Sequence, residues 1–253
     1  MLEDYIRKRL REKDILLMAH IVVGYPSIED SFELVRTIVE AGVDLMELQI
    51  PFSEPIADGP VILQANQAAI ADSIRVDHCF RFAQKVTSAF DLPFLFMTYY
   101  NILFKRGEER FFAEAREAGI RGTIVPDLPP EEGESYMAAA AANNIDPIFI
   151  LAPTSSPERI NHLARFGRGF FYCVARKGVT GSDTDFSNEM TEFLNQCRKA
   201  TQLPLALGFG VSSKEDVQFL RGKAEVAVVG SQALRILKAQ GIQAVGGFFR
   251  GLQ

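Results

Sequence analysis

The sequence holds 253 residues, 47% hydrophobic and 23% charged, with a net charge of -5. That balance is ordinary for a globular chain and excludes a broad nucleic-acid surface, which needs clustered Lys and Arg. Cys79, Cys173 and Cys197 are odd in number and far apart in sequence, which excludes a disulfide framework or a metal knuckle and reads as reduced thiols. No apolar run reaches membrane-spanning length, and the N-terminal "MLEDYIRKRLREKD" is charged throughout, with no secretory core. A soluble, cytoplasmic protein with no membrane or nucleic-acid partner is expected.

In chain order, a helix over 2–12 precedes the apolar segment "ILLMAHIVV" (15–23). The helical stretch "SIEDSFELVRTIVEAG" leads to the second segment, "VDLMELQI" (43–50), and a proline-rich loop. "PFLFMTY" (93–99), "GTIVP" (122–126), "PIFIL" (147–151), "GFFYCVA" (169–175), "LPLALG" (203–208) and "EVAVVG" (225–230) follow. Between them lie "GEERFFAEAREAG", "EEGESYMAAAAANN" and "SKEDVQFLRG" at helical spacing. Near-continuous apolar strands alternating with amphipathic helices indicate buried parallel strands. A doubly wound sheet shares this alternation, but eight strands in about 250 residues is the count of a (β/α)8 (TIM) barrel. No Pro/Gly/Ser linker divides the chain, so 1–253 reads as a single (β/α)8 barrel domain whose extra N-terminal helix plugs the bottom.

In such a barrel, chemistry sits at the C-terminal ends of the strands. There "GFGVSSKED" (208–216) and "GSQALRIL" (230–237) put small residues at helix entrances, where backbone N–H groups and the helix dipole favour an anion. The plainer reading is glycines serving tight turns; two such loops in adjacent positions favour phosphate, with Gly181 beside them. "ARKGVTGSDTDF" (175–186) has the composition of a lid or of an ordinary connection.

On strand two, Met46 and Leu48 face one way and Glu47 and Gln49 the other, toward the lumen. A carboxylate there is costly unless paired or used, and the site suits a group that exchanges protons at neutral pH. Asp58, in the proline-rich loop, folds back over the mouth. The competing reading makes Glu47 a satisfied structural carboxylate and Asp58 a turn former. His20, His78 and His162 have no partners at ligand spacing and read as core or surface residues rather than metal ligands.

The segments "GYP" (24–26), "MELQIPFSEPIADGPVILQ" (46–64), "YYN" (99–101), "VPDLPPEE" (125–132), "RKGVTG" (176–181), "GFGVS" (208–212) and "VGS" (229–231) span nearly the whole chain. Through them the sequence resembles the tryptophan synthase α-subunit family. The resemblance implies a (β/α)8 barrel that cleaves indole-3-glycerol phosphate to indole and glyceraldehyde 3-phosphate without a cofactor of its own. Indole would then pass to a PLP-bearing β subunit within an α2β2 heterotetramer.

The resemblance also implies residue roles. Glu47 is the acid/base at indole C3 and the glycerol hydroxyl, and Asp58 holds the indole N–H. Gly181, Gly210, Gly230 and Ser231 bind phosphate, and Ile62, Tyr172 and Phe209 line the pocket. Thr180 reaches Asp58 from the lid, and Glu54, Asn101, Phe104 and Pro129 face the β subunit. Three positions depart from the pattern: Gln49 stands for the usual Gly, Glu54 for Asp, and Ala175 for Ser. Gln49 is expected in the pocket beside Glu47, crowding the indole or bonding Glu47. That opens a second reading, a catalytically impaired subunit acting mainly as allosteric activator of β; another phosphate-binding barrel isomerase is a weaker rival.

Overall fold

The computed structural model describes residues 1–174, 188–208 and 210–253. The described strands are β1 (Leu16–Val22), β2 (Leu45–Gln49), β3 (Phe94–Met97), β4 (Gly122–Ile124), β5 (Asp146–Ile148), β6 (Ile150–Leu151), β7 (Phe171–Val174), β8 (Leu205–Gly208) and β9 (Val226–Val229). They form one sheet in the order β5-β4-β3-β2-β1-β9-β8-β7-β6, paired in parallel throughout. The two ends of that order, β5 and β6, are separated in the chain by Phe149 alone, so the sheet wraps round into a nearly closed barrel. The fifth expected strand is therefore present but divided. At the break the Phe149 carbonyl accepts from Tyr172 N at 3.0 Å, keeping contact with β7.

The helices are α1 (Leu2–Arg9), α2 (Ile28–Glu40), α3 (Pro60–Ala71), α4 (Val76–Ala89), α5 (Tyr100–Arg106) and α6 (Glu108–Glu117). After them come α7 (Glu134–Ala142), α8 (Pro157–Leu163), α9 (Asn188–Ala200), α10 (Lys214–Leu220), α11 (Ser231–Gln240) and α12 (Ile242–Gly251). Local chemistry sets their starts. The Ser27 side chain accepts from Asp30 N to open α2, and Pro60 stands at the first position of α3, where its missing N–H costs nothing.

The pleat sorts apolar side chains into two cores. Leu17, Ala19, Met46, Leu48, Phe94 and Phe96 point outward and pack with residues of the helices. Leu16, Met18, Leu45, Leu95, Val226 and Val228 form a separate inner core. Leu16 and Leu45 are the first residues of their strands, so this inner core fills the lower barrel. The upper lumen is left to other side chains.

α1 closes the bottom, as expected. Leu2 and Ile6 belong to the inner core, and Leu2 N donates to Asp146 Oδ2 at 2.9 Å. Buried Asp44 ties the following turn to β2: it accepts from Leu17 N at 3.0 Å and from Lys13 Nζ at 2.9 Å. Because Ile6 is fully buried against this core, Ile6→Ala should cost about 2–5 kcal/mol. A lower urea midpoint with an unchanged slope would register that loss; an unchanged midpoint would show that α1 does not plug the barrel.

Candidate active site

Parallel register decides what the pleat alone leaves open. His20 on β1 pairs with Glu47 on β2, and Val22 with Gln49. His20 follows Leu16 and Met18 on the inward face, and Glu47 and Gln49 follow Leu45. Three polar side chains thus stand together above the apolar filling. His20 Nδ1 lies 3.0 Å from Glu47 Oε1, with both side chains buried.

Asp58 reaches this group from the loop between β2 and α3. Hydrogen bonds from Ile56 N to the Glu54 carbonyl (2.9 Å) and from Asp58 N to the Pro55 carbonyl (3.0 Å) tighten the loop. Phe52 N donates to Asn66 Oδ1 at 2.9 Å, and the Phe52 ring stacks on Tyr99 with centroids 5.0 Å apart. The Tyr99 hydroxyl accepts from Ala57 N and donates to Asp58 Oδ2, each at 3.1 Å. Gln49 Nε2 donates to the same oxygen at 2.6 Å. Asp58 is therefore held in place by the barrel wall and by its own loop.

The groups act on one another electrostatically. Burial holds the Asp58 carboxyl above its usual range, against the opposing pull of His20, Gln49 and Tyr99. Burial also disfavours charge on His20, yet Glu47, with help from Asp58 and Gln49, keeps the imidazole above its ordinary value. Burial and the two carboxylates hold Tyr172 as a neutral phenol.

A cavity of about 620 Å³ opens over these residues, a size suited to a small-molecule ligand. Glu47, Asp58, Ile62, Tyr172, Gly210, Gly230 and Ser231 all line it, as does His20. Gly208 makes room for the Tyr172 ring, since a Cβ there would fall 2.5 Å from the phenolic oxygen. Gly230 opens α11 with no side-chain cap, so that helix start presents its N–H groups to the cavity. α10 differs: Asp216 Oδ2 already accepts from Ser212 N (2.7 Å) and Ser213 N (3.0 Å). Of the two helix entrances read as anion sites, the one at α11 is open and the one at α10 is occupied by its own carboxylate.

The remaining expectations divide. Gly181, Thr180 and Phe209 lie outside the described residues, as does Ala175. Glu54, Asn101, Phe104 and Pro129 are exposed, and Phe104 and Ile56 are large apolar side chains at 69% and 81% exposure. The expectation for Gln49 needs correcting. It faces the lumen side as alternation requires, but it is fully buried, its amide turns to Asp58 rather than to Glu47, and it is not part of the cavity wall. His20, expected from sequence as a core or surface residue, instead lines the cavity beside Glu47; its inward parity with Leu16 and Met18 is the signal that places it there. Among the described residues, no group of three or more His, Cys, Asp or Glu is placed to hold a metal ion, and no helix is long and apolar enough to cross a membrane.

Comparison with known proteins adds to this geometry. The profile of the family described as tryptophan synthase alpha chain matches residues 6–245. The tryptophan synthase alpha chain of Syntrophotalea carbinolica is 60% identical over 253 residues, covering 100% of both chains. That of Desulforapulum autotrophicum is 58% identical over 252 residues, again covering 100% of both. Among solved structures, the tryptophan synthase subunit alpha of Legionella pneumophila superposes with a TM-score of 0.90 at 28% identity, covering 99% of this chain and 96% of that one. A chain of Mycobacterium tuberculosis tryptophan synthase gives 0.92 at 29% identity, with the same coverage.

Proposed function

The chain belongs to the tryptophan synthase alpha chain family, and from that premise we propose that Glu47 and Asp58 carry the family's reaction in the cavity above the inner core. The chain is a lyase that cleaves indole-3-glycerol phosphate to indole and glyceraldehyde 3-phosphate. One observation carries the reading of the site. Two carboxylates with different partners, Glu47 on His20 and Asp58 on Gln49 and Tyr99, share a cavity with the uncapped start of α11.

In this reading the substrate phosphate lies against Gly230 and Ser231 at the α11 terminus, with Gly210 and Gly181 completing its shell. The indole ring packs between Ile62, Tyr172 and Phe209. Asp58 accepts the indole N–H and offsets the positive charge that develops on the ring when C3 is protonated. Glu47 delivers that proton and takes one back from the glycerol hydroxyl. The bond between C3 and the glycerol carbon breaks, its electron pair returns to the ring, and the hydroxyl-bearing carbon leaves as an aldehyde. The family resemblance assigns Thr180, which lies outside the described residues, to contact with Asp58. No cofactor on this chain takes part; PLP belongs to the β subunit.

Family membership implies a β-subunit partner. We assign the contact to Glu54, Asn101, Phe104 and Pro129, with exposed Ile56 adding apolar area, in a cytoplasmic α2β2 assembly. The test is indole release from indole-3-glycerol phosphate, with and without the cognate β subunit. Release by the chain alone, faster with β, is expected. A folded chain that releases no indole in either condition overturns the reading.

The hydrogen bond from Gln49 to Asp58 supports a role in holding that carboxylate rather than one in obstructing the indole. Gln49→Gly would empty a buried site and free Asp58 from its shortest hydrogen bond. Misplacement of a catalytic group by about 1 Å costs on the order of 100-fold. The variant should therefore lower kcat by roughly 10- to 100-fold rather than raise it. Faster indole release by the glycine variant would show that the amide obstructs the pocket after all.

A further inference from the structure

His20 is the buried titratable group that the reaction above leaves without a task. Its Nδ1 is 3.0 Å from Glu47 Oε1, and its side chain forms part of the cavity wall. His20 Nε2 and Glu47 Oε2 are both buried and have no hydrogen-bond partner among the described residues. The pair is thus joined through one atom of each group and open at the other. A buried polar atom left unpaired is destabilising, a cost that substrate in this cavity is placed to relieve.

The charged and titratable neighbours of His20 come from several elements. Glu47 faces it from β2, and Asp58 acts on it from the loop beyond. The Gln49 carboxamide sits close enough to favour the imidazolium, without a hydrogen bond of good geometry. Tyr172, on β7 across the cavity, is a neutral phenol. β9 offers apolar Val228, and the backbone of Gly230 packs close, since a Cβ there would lie 3.4 Å from His20 Cβ. Among the described residues, exposed Arg235 of α11 is the Lys or Arg that lines the same cavity.

Resting on the reading that Glu47 exchanges protons with substrate, we propose that His20 is a positioning residue that holds the Glu47 carboxylate and shares one proton with it. The proton moves from Nδ1 through Glu47 to the ring carbon C3, and the proton released by the glycerol hydroxyl returns through Glu47 to Nδ1. One C–C bond breaks, one C–H bond forms, and the pair ends as it began. A free carboxyl is almost wholly ionised at neutral pH, whereas an imidazole is the side chain suited to store a proton there. The carboxylate keeps His20 above its ordinary value, so the stored proton is still present at the ordinary imidazole value and is lost only as pH rises through the raised one.

The test follows kcat and KM for native protein, His20→Phe and His20→Asn from about pH 5 to about pH 9, with thermal melts to check folding. The native kcat should fall on the alkaline side, above the ordinary imidazole value. In both variants that fall should move to lower pH by about one unit or more, with KM changing less than kcat. An unmoved profile in His20→Phe overturns the proposal. So does restoration of the native profile by His20→Asn, which keeps a donor but cannot titrate; His20 would then only hold Glu47. NMR titration of the His20 ring in native protein and Glu47→Gln gives an arm independent of turnover. The imidazole should titrate lower once Glu47 is neutral, and an unchanged titration refutes the sharing. If the native chain released no indole, the assignment of the reaction to this cavity would fail, while the NMR arm would still decide whether the two residues share a proton.

Discussion

Glu47→Gln is expected to abolish most indole release, lowering kcat by on the order of 10²–10⁴-fold, the range a positioned acid/base supplies. The substitution preserves shape, and the glutamine oxygen can still accept from His20 Nδ1, so the fold should survive. What the substitution removes is the proton exchange with C3 and the hydroxyl that the proposed mechanism assigns to Glu47. KM should change far less than kcat, because the phosphate contact proposed at the uncapped start of α11 does not use the Glu47 side chain. Steady-state indole release, with circular dichroism to confirm folding, checks this. A variant that keeps more than about a tenth of native kcat would move the acid/base role off Glu47.

Asp58→Asn tests the second carboxylate and should cost on the order of 10²–10³-fold in kcat, the loss typical of removing one preorganised electrostatic contact. An asparagine oxygen can still accept from Gln49 Nε2 and Tyr99, so the loop has reason to stay in place. Stability should respond in the opposite sense to activity. The folded state binds the Asp58 proton more tightly than the unfolded chain does, because burial raises its value. The contribution of Asp58 to stability is thus fully present below the ordinary carboxylate range and is lost as pH rises through the raised value. Above the raised value the ionised group is a cost that asparagine removes, so there the variant should melt no lower than the native chain. A lower melting temperature together with lost activity would mean that Asp58 mainly anchors its loop.

Much of the barrel was legible because its signals are local. Alternating apolar segments and amphipathic stretches marked the strands and most of the helices, and the inward parity of Glu47 followed from the period of the pleat alone. The division of the fifth strand at Phe149 was not legible, since "PIFIL" is continuously apolar and the break shows only in which neighbour each half pairs with. The two helix entrances after β8 and β9 both carry small residues, but Ser213 and Asp216 have capping-box spacing; in the folded chain Asp216 turns back onto Ser212 and Ser213, while Gly230 leaves α11 uncapped.

By itself the sequence determined the barrel class, the family resemblance and the lumen-facing side of Glu47 and Gln49. Each of these depends on residue types at fixed short spacing. Only the tertiary structure decided what those side chains touch. His20 lies 27 positions before Glu47, and it becomes a partner solely because parallel pairing sets the two strands in register. Gln49 became the donor that fixes Asp58, rather than an obstruction beside Glu47, because the loop after β2 folds back and is pinned by Phe52 and Tyr99. Register and loop return are set by packing between distant segments, and no spacing along the chain encodes the direction a buried amide turns once two carboxylates compete for it.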